Sequence, residues 1–128
     1  MPRALALPVV LIWLSGPAPA QTCGWVEALV SGQVSPDMAE GAVCTTEDQI
    51  VCRWDFAYRA TAAGALFDTL SETLSACLDP ADAPAAPVNH PDSYAQRQYR
   101  AAQTAVSVAL KDKAGLDKSF VFLRVDRE

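Results

Sequence analysis

Histidine occurs once in this 128-residue chain, at His90, and no two cysteines are spaced as a CxxC pair. These two scarcities argue against a zinc site of the usual Cys/His spacing and against a close-spaced redox dithiol. Glycine is thin as well, with six in all. None of them cluster ahead of a helix as a phosphate-cradling loop requires. No stretch alternates acids and closes on a glutamate, the pattern of a calcium loop. Bases are outnumbered, with 10 Lys and Arg against 15 Asp and Glu for a net charge of −5. A nucleic-acid binder normally shows a clustered basic footprint, so nucleic acid is not an expected partner. No cofactor is expected, and no segment reaches the roughly 20 apolar residues needed to span a bilayer.

What the chain does have begins at its start. Arg3 supplies a positive charge, residues 4–14 (ALALPVVLIWL) are apolar, and Ala18-Pro19-Ala20 gives a small-x-small pattern. That is the layout of a cleavable secretory signal peptide. Pro8, Pro17 and Pro19 would interrupt a buried core helix, the alternative reading. Residues 1–20 are therefore expected to be a signal peptide, and residues 21–128 a single exported domain. Cys23 follows closely, but Gln21 and Thr22 suit a lipidation signal poorly, so no membrane anchor is expected after cleavage. The Ala- and Pro-rich composition points to a bacterial periplasm, with secretion as the other destination.

Cys23, Cys44, Cys52 and Cys77 all lie beyond the signal segment. An even number in an exported chain reads as two disulfides, because that compartment oxidises thiols. A layout with Cys52 on a strand and Cys77 on the helix packed against it favours Cys52–Cys77 with Cys23–Cys44. The alternative is Cys44–Cys52 with Cys23–Cys77, since residues 44 and 52 flank a tight turn.

Hydrophobic periodicity sketches the domain. Residues 24–31 read as a short helix ended by Gly32, and residues 42–45 as a short strand. Residues 50–59 alternate strictly: Ile50, Cys52, Trp54, Phe56 and Tyr58 should face a core. Thr61 is placed to cap a helix reaching about Leu78, with Ala63, Leu66, Phe67, Leu70, Leu74 and Cys77 forming one stripe. Asp79-Pro80 should end it, and a proline-rich connector (Pro80, Pro84, Pro87, Pro91) should return the chain to the sheet. Residues 93–100 read as a polar edge strand, 104–111 as an alternating strand, 112–117 as a turn and 119–125 as a strand apolar on both faces. The fold class is α+β: a small antiparallel sheet in strand-helix-strand-strand-strand order, with one main helix on one face and disulfides to stabilise it.

The candidate site is the other sheet face. If Val121, Leu123 and Val125 join the core, then Phe120, Phe122 and Arg124 point away from it, sharing that side with Arg53, Asp55 and Arg59. Aromatics and arginines over a floor of small residues (Ala105, Ser107, Ala109) make a binding surface. The favoured expectation, however, is that the N-terminal segment, through Trp25 and Leu29, covers the two phenylalanines, because exposed apolar patches on monomers are uncommon. His90 sits among the turn formers Asn89, Pro91 and Asp92. With Ser93 nearby it lacks the geometry of a catalytic set, so no catalytic residue is assigned.

Three functions remain. The leading one is a non-enzymatic binding or accessory protein, its partner another protein of the envelope. The second is a small-molecule binder or hydrolase with a pocket between helix and sheet, using Arg53, Asp55, Tyr58 or His90. The third is a purely structural disulfide-stabilised domain.

Overall fold

Alternation of apolar and polar residues along four long strands leaves one sheet face apolar, and two helices bury that face. The computed structural model describes residues 23–81 and 93–127. The expected signal segment, most of the proline-rich connector and His90 lie outside them. Helix α1 (Gly24–Val30) is followed by β1 (Val43–Thr45), β2 (Ile50–Ala57), α2 (Thr61–Cys77), β3 (Asp79–Ala81), β4 (Ser93–Ala101), β5 (Thr104–Lys113) and β6 (Lys118–Arg127). A 3-10 turn over Ala114–Leu116 joins the last two strands. The strands form one sheet in the order β1-β2-β6-β5-β4-β3, and every neighbouring pair is antiparallel. The expected α+β class, main helix on one sheet face, is the class observed.

The core lies between α2 and the sheet. Phe67, Leu70 and Leu74 of α2 meet Cys52 and Trp54 of β2, Val106 and Val108 of β5, and Val121, Leu123 and Val125 of β6. Val26 and Leu29 bring α1 into the same cluster. Burial of each such aliphatic side chain stabilises the fold by about 1.5–3 kcal/mol before entropy is counted. Tyr99 reaches into this layer from β4. Its hydroxyl donates to the Ser71 carbonyl at 3.1 Å and accepts from Ser75 Oγ at 3.0 Å, tying strand to helix. Trp54 Nε1 donates to the Glu40 carbonyl at 2.9 Å and pins the loop that follows α1.

Several local expectations are corrected. The disulfides are Cys23–Cys77 and Cys44–Cys52, not the favoured pairing. Cys44 stands directly opposite Cys52 across β1 and β2, with their Cα atoms 4.1 Å apart. Such cross-strand neighbours are already within bonding reach. Cys77 lies at the far end of α2 near Ala101 of β4, three strands across from β2. Thr61 is the first helical residue and not the cap. Ala60 takes that place, and no side chain caps the helix. Asp79–Ala81, expected as the helix end and the start of the connector, pairs with Gln98 to Arg100. Proline fits there because the outermost strand need not donate on its open side. The second half of β4 is therefore interior to the sheet.

The chain leaves β2 at Ala57, earlier than the alternation suggests. Arg59 turns it towards α2 with a left-handed backbone (φ 55°), a conformation uncommon for a residue with a Cβ. Its N–H donates to Ser119 Oγ at 2.8 Å, and Ser119 donates in turn to Asp112 Oδ1. At the other end of the sheet, Gly32 (φ 93°) ends the α1 turn against Arg127, whose guanidinium a β-carbon there would strike. Arg127 Nη2 also donates to the Val30 carbonyl at 3.2 Å.

Candidate binding face

Because side chains alternate across a strand, the register that buries Val121, Leu123 and Val125 places Phe120, Phe122, Arg124 and Asp126 on the opposite side. Pairing then fixes their neighbours. Arg53 of β2 and Ala109 of β5 flank Phe122, and Asp55 and Lys111 flank Phe120. Beyond β5, Gln96 stands next to Ala109, Tyr94 next to Lys111 and Gln98 next to Ser107. Ala105 and Ala109 form a low floor, 9% and 6% exposed, shielded by taller neighbours. Both phenylalanines are half-buried.

Neither helix covers this face. The favoured expectation that Trp25 and Leu29 shield the phenylalanines is overturned, since Leu29 and Val26 are buried in the helix-side core and Trp25 packs against it. The reason is the Cys23–Cys77 bridge, which fixes the start of α1 to the end of α2.

The rings and cations of the face form one interleaved row. Phe120 and Phe122 lie 6.0 Å apart at 37°. The Arg53 guanidinium carbon is 5.7 Å from the Phe120 centroid. Lys111 Nζ is 5.1 Å from the centroid of Phe122 and 5.1 Å from that of Tyr94, so one ammonium bridges two rings. Contacts of this kind contribute about 0.5–1 kcal/mol each where exposed, and they hold flexible cations in place. Arg53 also pairs with Asp55 at 2.8 Å. Arg124 donates to Gln49 at 2.6 Å and pairs with Asp126 at 3.3 Å. Lys111 makes no ion pair with any described residue.

The sequence-assigned surface residues are therefore divided. Arg53, Asp55, Phe120, Phe122 and Arg124 share the face. Arg59 does not, because it sits in the turn after β2, where its guanidinium lies 5.1 Å from the Tyr58 ring and 3.9 Å from Asp112. Tyr94, Gln96 and Lys111 were not singled out by sequence. Their alternation within β4 and β5 was readable, but only the pairing register reveals which of them meet Phe122.

The helix side carries open grooves. One groove of about 490 Å³ runs between the start of α2 and the end of β5, with Arg59, Thr61, Asp68 and Asp112 on its walls. An apolar one of about 510 Å³ adjoins the Cys23–Cys77 bridge. The layer between α2 and the sheet is filled by Phe67, Leu70, Val108 and Leu123. Arg53 and Asp55 face away from that layer, and Tyr58 lies beyond the end of β2, so these polar groups do not converge between helix and sheet. His90, the fourth of that set, lies outside the described residues. Among the described residues no group of three or more His, Cys, Asp or Glu is arranged to hold a metal ion. No described helix is long and apolar enough to cross a membrane.

No family model matches the chain, and no curated protein or solved structure shows significant similarity to it.

Proposed function

We propose that this chain is a small exported binding or accessory domain of the cell envelope, non-enzymatic, that engages its partner through the open sheet face. The periplasm is the favoured compartment, reached by way of the signal segment in residues 1–20. Two disulfides support an oxidising environment. One observation carries the reading. A row of half-buried rings interleaved with cations crosses the face that neither helix covers, whereas the helix face is occupied by the protein's own core. Aromatic and arginine side chains are the residues that most often dominate binding energy at interfaces. The dispersal of Arg53, Asp55 and Tyr58 disfavours a pocket between helix and sheet.

The test is site-specific photo-crosslinking in the native host. A benzophenone amino acid replaces Phe122 or Gln98 on the open face, or Glu72 on the helix face. The reading predicts a discrete adduct from positions 122 and 98 and none from 72. Adducts from position 72 alone, or from none of the three, contradict it.

A further inference from the structure

The open face differs in charge from the rest of the molecule. Its register brings together Arg53, Arg100, Lys111, Lys113, Lys118 and Arg124 against Asp55, Asp79 and Asp126. The chain as a whole is acidic, at −5, and the opposite side exposes Glu27, Asp68 and Glu72. Field lines from an otherwise negative protein therefore leave one positive side, which steers an anionic partner to that side.

The aromatic component narrows the class. Sugar rings stack on bare aromatic faces, but here cations of the protein already stand over those rings: Lys111 over Tyr94 and Phe122, and Arg53 over Phe120. Neither described tryptophan lies on this face, since Trp54 is buried in the core and Trp25 packs against its helix side. The remaining ring edges, the alanine floor and the fixed cations suit an apolar side chain flanked by carboxylates. Four central strands about 4.8 Å apart and about 3.3 Å per residue long give a surface of roughly 600 Å². That lies below the roughly 800 Å² per partner of a standard interface and above a fragment contact. Face-to-face pairing of two copies would oppose like charges.

From these observations we infer that the open face docks an acidic protein segment with an apolar anchor, the anchor seated on Phe120, Phe122 and Ala109 and its carboxylates meeting Lys111, Arg53 and Arg124. This deepens the binding role proposed above and rests on it.

The experiment titrates the isotopically labelled, oxidised protein with four probes and follows backbone amide shifts. The probes are the peptide Ac-EEFEEFEE-amide, its lysine counterpart Ac-KKFKKFKK-amide, octaglutamate, and an oligogalacturonate of similar charge. The expected result is shifts along β4, β5 and β6 with Ac-EEFEEFEE-amide. Binding should be at least 10-fold tighter than for the other three probes, weaken as salt is raised, and weaken at least 10-fold in Lys111→Glu. Equal binding of the lysine peptide or of octaglutamate overturns the inference, because charge or anchor would then be irrelevant. Tighter binding of oligogalacturonate overturns it in favour of an anionic glycan. Self-association in sedimentation velocity, abolished by Phe122→Ser, overturns it in favour of a second copy of this chain. If crosslinks form at position 122 while Ac-EEFEEFEE-amide fails to bind, the binding role stands and the partner class is wrong. If both fail, both readings fall.

Discussion

Ser119 and Asp112 stand directly opposite each other at the turn end of the β5–β6 hairpin, and the buried Ser119 hydroxyl donates to the Asp112 carboxylate. The same hydroxyl accepts the Arg59 N–H. One atom thus fixes the chain reversal between β2 and α2, where the left-handed Arg59 needs external support.

Ser119→Ala removes both bonds and leaves a backbone donor short of its partner. Stability should fall by about 1–3 kcal/mol, read as a lower urea midpoint with an unchanged m-value. A loss below about 0.5 kcal/mol would mean that the turn holds without this hydroxyl.

The disulfides should contribute unequally. Cys23–Cys77 closes a loop of 54 residues and Cys44–Cys52 one of 8. Loop-closure entropy assigns about 4 kcal/mol to the first and about 2.5 kcal/mol to the second. Replacing each pair by serine and comparing chemical denaturation should give that order. Non-reducing peptide mapping should recover the pairs 23–77 and 44–52, and recovery of 52–77 would contradict the structure.

Tyr99→Phe keeps the ring and deletes the hydroxyl that joins Ser71 and Ser75. A cost of about 1–2 kcal/mol is expected, with the sheet retained by circular dichroism. A neutral result would show that water serves these groups equally well.

Much of this was readable from the residues. The alternation of Ile50, Cys52 and Trp54 gave β2, and the stripe through Phe67, Leu70 and Leu74 gave α2, because both patterns repeat over enough residues to be unambiguous. The sidedness of Phe120 and Phe122 followed from the pleat alone. Disulfide pairing was not readable, because it depends on which strands become neighbours, and β1 is too short for its sequence to declare a register. β3 went unseen for a related reason. Asp79-Pro80-Ala81 carries no strand propensity, and it is extended because the half of β4 beside it leaves an edge to be paired. The meeting of Lys111 with both Tyr94 and Phe122 depends on two registers at once.

The most direct test of the central claim sets Phe122→Ser beside Leu123→Ala, two neighbours on opposite faces of β6. Leu123→Ala should cost about 2–5 kcal/mol, as for a fully buried leucine. Phe122→Ser should cost less than about 1.5 kcal/mol, since its ring is only half-buried on a face that neither helix covers, and it alone should abolish the crosslinked adduct formed from position 98. Destabilisation by Phe122→Ser as large as by Leu123→Ala, or survival of the position-98 adduct in Phe122→Ser, would contradict an open, partner-binding face.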